Sequence, residues 1–191
     1  MNDPIYETVI TSVAPDGRVH VAPMGVRYVD ERVVLMPFKP STTLDNVLAS
    51  GHAVLNGVTD TRVFAGCVTG RRNWPTVAAE CIAGQRLVCA LNHVELELVE
   101  HHDDAQRPVL RLARVHAATH APFKGLNRAQ AAVIEGAVLV SRLHMLPMDK
   151  IETEMKYLQI AIDKTAEATE HEAWGWLREA VAAHQAKVST K

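Results

Sequence analysis

The chain has 191 residues, a mass of 21.0 kDa, 48% hydrophobic residues and 22% charged ones. That composition supports a real core and excludes disorder along the whole chain, and the length fits one domain or one domain with a helical extension. The net charge of −2, from 20 basic and 22 acidic residues, excludes a dedicated nucleic-acid binder, which needs a basic face for phosphates. A local basic pocket stays open.

No apolar run reaches the roughly 20 residues of a membrane helix. The longest apolar-rich stretch, Ala129 to Val140, is broken by Gln130, Glu135 and Gly136. Met1-Asn2-Asp3-Pro4 has neither the basic start nor the apolar segment of a signal peptide. Cys67, Cys81 and Cys89 are odd in number and lack CxxC spacing, which argues against a disulfide framework or a zinc knuckle. The expectation is a soluble, cytoplasmic protein of a reducing compartment.

In chain order, Ile5 to Val13 alternates as a strand, and Pro15-Asp16-Gly17 is a turn signal. A second strand, Arg18 to Tyr28, carries Pro23 and Gly25, which a central, fully paired strand tolerates poorly. Asp30-Glu31 turns the chain into a third strand, Arg32 to Phe38. Ser41 or Thr42 can then cap a short helix ended by Gly51. His52 to Val58 returns to strand, and Thr59 to Pro75 reads as strand fragments and a long loop. Arg86 to His101 and Pro108 to His120 read as a long hairpin with a polar tip. After Pro122 the period becomes helical: Asn127 to Leu146, Met148 to Ala168 and Thr169 to Lys187. Strands first and helices last is the α+β order, and about seven short strands point to a small antiparallel barrel. The expected division is a barrel domain over 1–122 and a helical region over 123–191.

The segment Val21 to Asn56 carries the chemistry. Phe38 ends a strand, Lys39 adds a positive charge, and Ser41, Thr42 and Thr43 open a helix whose first amides are free donors. This is either a phosphate cradle or an ordinary cap beside a solvated lysine. Upstream, Val21 to Val26 exposes backbone, because Pro23 cannot donate and Gly25 has no side chain. A flat heteroaromatic ring can approach such a strand, with Met24 against it. Asn46 lies one turn into the helix and Asn56 ends the next strand.

The ordered set APMGV, KPSTTLDN and HAVLN resembles the FMN-binding split-barrel flavoproteins, flavin reductases among them. The whole chain is similar to the family numbered DUF447, through IYETVITS (Ile5 to Ser12), HVAPMGV (His20 to Val26), LNGVTD (Leu55 to Asp60) and NRAQAAVIEGAVLVSRL (Asn127 to Leu143). The resemblance implies an antiparallel Greek-key split β-barrel with a C-terminal helical extension. It implies a homodimer with FMN near the subunit interface, a small-molecule substrate or NAD(P)H, and a link to tetrahydromethanopterin one-carbon metabolism. Carried over, Lys39, Ser41, Thr42 and Thr43 hold the FMN phosphate, and Phe38 beside them is counted among the cofactor-binding residues. Met24, Gly25 and Val26 line the isoalloxazine, with Asn46 and Asn56 as polar contacts. Many flavin reductases have Ser or Thr where Gly25 or Val26 stands.

Other candidates carry less. His116 and His120 are four apart on a strand, about 13 Å along it, too far for one ion without a bend. His101-His102-Asp103-Asp104 has ligand types but sits at a polar tip, and His93 and His144 read as packed or surface residues. No metal is expected. None of the cysteines has a local partner that marks a nucleophile. Arg71, Arg72 and Trp74 either grip an anion or form a surface loop. Arg142 reads as a helix cap or an intersubunit ion pair. The stripes Ile151, Met155, Leu158, Ile162 and Trp174, Leu177, Val181 read as core. The leading function is a flavin-dependent oxidoreductase; the alternatives are a non-catalytic flavin-binding or assembly module, and a barrel that has exchanged FMN for haem or a deazaflavin, in which His20 and His52 matter.

Overall fold

Period-two burial organises the first half of the chain. A computed structural model describes residues 3–189, and in it strands β1 (Tyr6–Val13), β2 (Val19–Val29), β3 (Arg32–Leu35), β4 (His52–Gly57), β7 (Asn92–His102) and β8 (Val109–Thr119) close into an antiparallel barrel. The order around it is β1-β2-β3-β8-β7-β4, returning to β1. Helix α1 (Thr42–Ser50) joins β3 to β4, and a small hairpin of β5 (Thr76–Ala78) and β6 (Gln85–Leu87) precedes β7. Ile10, Val26, Leu35, Leu55, Leu96 and Leu112 fill the barrel interior with Leu44 and Val47 of α1.

Pro23 and Gly25 find their place in the register. β2 pairs with β1 over Val19 to Val26, but its ladder to β3 begins only at Val26. Pro23 therefore removes no β2–β3 ladder bond. At Gly25 a Cβ would stand 2.6 Å from the Ile5 side chain, so the missing side chain makes room for Ile5.

The molecule divides into two compact units, residues 1–58 with 73–123, and residues 59–72 with 124–191. The second contains α2 (Arg62–Val68), α3 (Arg128–Ser141), α4 (Met148–Thr165) and α5 (Ala168–Ser189). The helix α2 corrects the reading of Thr59 to Pro75 as strand fragments and loop. Val63, Phe64, Ala65, Gly66 and Cys67 are all buried, and five consecutive buried residues in a seven-residue helix show no helical period. The expected stripes pack inside this unit: Ile151, Ile162, Trp174 and Leu177 are buried.

Gly136 on α3 faces that core. A Cβ there would stand 2.8 Å from Trp174 Cζ3 and 3.1 Å from Leu177 Cδ1. Gly136→Ala already sets its Cβ against the buried Trp174 ring, so overpacking offsets the up to about 1 kcal/mol of helix propensity it would otherwise recover, and Gly136→Val is expected to cost about 1–3 kcal/mol. Thermal unfolding followed by circular dichroism checks this; an unshifted midpoint for the valine variant would show that the α3–α5 contact yields freely.

Candidate functional site

Because β3 pairs with β8, the turn leaving β3 lies beside the tip that joins β7 to β8. The Lys39 amide donates to the Gln106 carbonyl at 2.9 Å, and Lys39 Nζ lies 2.5 Å from Asp103 Oδ1. Arg107 Nε donates to the Met36 carbonyl at 3.2 Å, and its guanidinium stacks 4.6 Å above the exposed Phe38 ring. The Lys39 amine holds the Asp103 carboxyl below its usual range, and the amides of Arg107 and Gln106 do the same for Asp104. The polar tip, exposed over residues 101–106, thus makes its contacts with the Phe38–Lys39 corner.

Helix α1 begins at this corner. Ser41 is its N-cap: Oγ accepts from the Leu44 amide at 3.2 Å, and the Ser41 carbonyl accepts from the Asp45 amide. The Thr42 and Thr43 amides take no acceptor among the described residues, as expected of a first helical turn. Thr42 is exposed and Thr43 is 1% exposed, so Thr43 has its amide rather than its side chain to offer. Gly51 closes the helix at φ 75°, the left-handed conformation glycine adopts without penalty. The corner combines two cations, two uncommitted amides and the positive end of a helix dipole, the means of holding a phosphate monoester.

Met24, Gly25 and Val26 lie on β2 as it meets β3, with Val26 opposite Leu35. Val26 is fully buried in the barrel core, so its side chain faces inward. Met24 is half-buried against that core, and its carbonyl accepts from Thr8 Oγ1 at 2.9 Å. Asn56 is committed inside the protein at both ends of its amide, and Asn46 through its nitrogen. Asn46 Nδ2 donates to Ser12 Oγ at 3.0 Å. Asn56, fully buried, donates to the Val9 carbonyl (3.1 Å) and to Thr11 Oγ1 and the Val54 carbonyl (both 3.2 Å), and accepts from the Leu87 amide at 2.8 Å. Asn56 thereby fastens β6 onto the β1–β4 seam, with help from Thr11 Oγ1, which donates to the Gln85 carbonyl. In the helical unit, Arg71 lies 4.7 Å from the Trp176 ring centroid and 3.4 Å from Glu179, so its charge is engaged on α5.

The sequence reading did not assemble a second polar cluster, on β7 and β8. His93 and Glu95 are fully buried and face each other, Nε2 to Oε1, at 3.2 Å. His93 Nδ1 is 2.9 Å from His120 Nε2. Glu95 accepts the amides of Glu80 (2.6 Å), Cys81 (2.8 Å) and Ile82 (2.9 Å). Burial by itself would raise the Glu95 carboxyl; those amides and His93 outweigh it and hold it below its usual range. The sequence signal was the alternation His93, Glu95 on one strand face, polar residues where a core face was due.

Known proteins share the fold. No curated protein matches the chain. Among solved structures, an FMN-bound DUF447 protein from Methanosarcina mazei superposes with a TM-score of 0.80 at 22% identity, over 94% of this chain and 96% of that one. A 2-nitrobenzoate 2-nitroreductase from Pseudomonas fluorescens gives 0.54 at 19% identity, over 63% and 66%. A protein with a split barrel domain from Shewanella frigidimarina gives 0.54 at 11%, over 60% and 66%. The fold is that of the split-barrel flavin proteins, as expected. Residues 6–121 match the family described as "Protein of unknown function (DUF447) N-terminal domain", and residues 127–179 match "Protein of unknown function (DUF447)". With both halves matched in order, the chain belongs to the DUF447 family.

Proposed function

We propose that this protein binds FMN and acts as a flavin-dependent oxidoreductase on a small substrate. The observation that carries the reading is the corner at the start of α1. The amides of Thr42 and Thr43 and the cations Lys39 and Arg107 form a phosphate-holding group, in the fold of an FMN-bound member of the same family. In this reading Lys39 exchanges its contact with Asp103 for the dianionic phosphate. Ser41 keeps the helix start in place, and Phe38 shields the corner beneath the Arg107 guanidinium. Met24 and the backbone of Gly25 and Val26 border the ring. Asn46 and Asn56 act at one remove, by fixing β1, β4 and β6. FMN supplies two-electron redox chemistry when bound, and the chain's part is to orient it and tune its electrostatics.

The exposed Ile5, Tyr6 and Tyr28 beside β2, with the two tyrosine rings 5.3 Å apart, support a homodimer with the cofactor near its interface. In the same reading the barrel domain, 1–122, holds the cofactor and the helical region, 123–191, is its C-terminal extension. The family resemblance read from the sequence extends the substrate proposal to tetrahydromethanopterin-linked one-carbon metabolism, in the cytoplasm. Among the described residues no helix is long and apolar enough to cross a membrane.

The visible spectrum of the purified chain and the mass of any released cofactor test the binding. Flavin bands with the mass of FMN are expected, and anaerobic addition of NADH or NADPH is expected to bleach them. A flavin that stays oxidised with both donors would replace the reductase by a binding module, and a colourless protein that takes up no added FMN would overturn the proposal entirely.

A further inference from the structure

Metal coordination draws its donors from wherever the chain brings them together. The expectation of no metal considered His116 and His120 along one strand. The barrel instead pairs β7 with β8, and Glu95 stands opposite His116, with a register shift just beyond that pair. His93 and His116 are brought to a ring separation of 5.8 Å. The segment after β5 adds Glu80, and one donor atom from each of Glu80, His93 and His116 lies within 4.8 Å of the other two.

The detail of these contacts is that of ligands rather than of hydrogen-bond partners. His116 Nε2 is closed to solvent and makes no hydrogen bond among the described residues. Yet it stands 3.2 Å from Glu80 Oε2. Two donors bound to one zinc ion at about 2.0–2.2 Å stand roughly 3.3–3.6 Å apart in a tetrahedron. An ion between the two atoms would satisfy the orphaned nitrogen.

The supporting shell is already built. Glu95 faces His93 Nε2 and at the same time accepts the amides of Glu80, Cys81 and Ile82. One buried carboxylate therefore orients the His93 ring and fixes the backbone that carries Glu80. A carboxylate behind a ligating histidine is the usual way a metal site sets tautomer and ring direction. With the Nε2 proton given to Glu95, Nδ1 of His93 carries the lone pair, and the exposed His120, whose Nε2 lies 2.9 Å from it, turns aside when an ion takes that position. Glu80 is exposed, so its side chain can move to close the set, and solvent has access to a further position.

We propose that Glu80, His93 and His116 form a binding site for a divalent first-row transition ion of the zinc class, with a remaining position open to water. Two imidazoles and one carboxylate suit zinc, and equally ferrous iron. The site is built on different elements from the α1 corner and does not depend on flavin binding. Holding residues 80–82 to β7 and β8, the ion also stabilises the folded chain by linkage.

The test is metal content of the full chain after loading with Zn2+, or anaerobically with Fe2+, followed by dialysis. About one ion per chain is expected for the wild type and for the control His144→Ala, with loss of the ion in the pair Glu80→Gln, His116→Ala. Zn2+ should raise the thermal midpoint of the wild type and leave that of the double variant unmoved. Equal retention by wild type and double variant overturns the site, as does failure of the wild type to retain either metal. X-ray absorption on the zinc-loaded wild type decides the case even where the variant does not fold. A nitrogen and oxygen shell supports the assignment, and a sulfur shell, which Cys81 would contribute, overturns it.

Discussion

Glu95→Ala should lower the unfolding free energy by about 3–5 kcal/mol, the scale seen when one partner of a buried charged network is removed. Glu95 is fully buried on β7 and answers three consecutive amides, those of Glu80, Cys81 and Ile82, as well as His93. Truncation leaves the donors without an acceptor and opens a cavity beneath them. Glu95→Gln separates the two effects. It keeps the volume, but turns one acceptor oxygen into a donor that faces other donors, so a loss of about 1.5–3 kcal/mol is expected from the hydrogen bonds alone. The protein has one route to a smaller penalty, in which residues 79–83 peel away from the barrel and let water in. Amide exchange distinguishes the two: the amides of residues 80–82 should be slow in the wild type and fast in either variant. Denaturant unfolding within about 0.5 kcal/mol of wild type for Glu95→Ala, with those amides still slow, would show that something other than Glu95 holds the segment.

How much of this was legible in the sequence follows from the range of each interaction. The α1 cap at Ser41 and its glycine stop at Gly51 rest on neighbours along the chain, and the structure has them where the residues put them; the long hairpin is there too, but its first arm begins at Asn92 rather than Arg86, because Gln85–Leu87 pairs with Thr76–Ala78 instead. The polar residue types at the α1 corner were legible too. Their setting was not: Asp103 and Arg107 reach Lys39 and Phe38 only because barrel closure lays β3 against β8. The same limit hid the cluster on β7. His93, His116 and Glu80 are separated along the chain, and a register shift between strands is invisible in a single strand's alternation. Asn56 shows the opposite error of emphasis. An asparagine at a strand end reads as a polar group awaiting a ligand, but its amide is spent fastening β6 to the barrel. Helix α2 was missed because its burial on every side erased the period by which a helix is recognised.

Thr42→Glu should weaken FMN binding by at least about tenfold, or about 1.4 kcal/mol, while leaving the fold at least as stable as before. The prediction rests on one helix terminus serving two electrostatic purposes of opposite outcome. A carboxylate in the first turn of α1 meets the positive end of the dipole and should add about 0.3–1 kcal/mol to helix stability. Thr42 is exposed, so the longer side chain displaces nothing from the core. A phosphate dianion seeking the Thr42 and Thr43 amides and the Lys39 amine meets that same carboxylate. At an effective dielectric near 20, like unit charges about 4 Å apart repel by about 4 kcal/mol, and solvent screening reduces this toward the tenfold floor. Removing the cap by Ser41→Ala is a less informative change, since it costs about 1 kcal/mol of helix stability and confounds loss of FMN with loss of structure. Fluorescence titration of the apoprotein with FMN gives the affinity, and thermal unfolding of the same sample gives the stability. Riboflavin, which lacks the phosphate, supplies the control: its affinity should be indifferent to Thr42→Glu. Equal weakening for both ligands would place the ring rather than the phosphate beside α1. Unchanged FMN affinity in a stable variant would remove the phosphate from this corner, and with it the roles given to Lys39, Thr42 and Thr43.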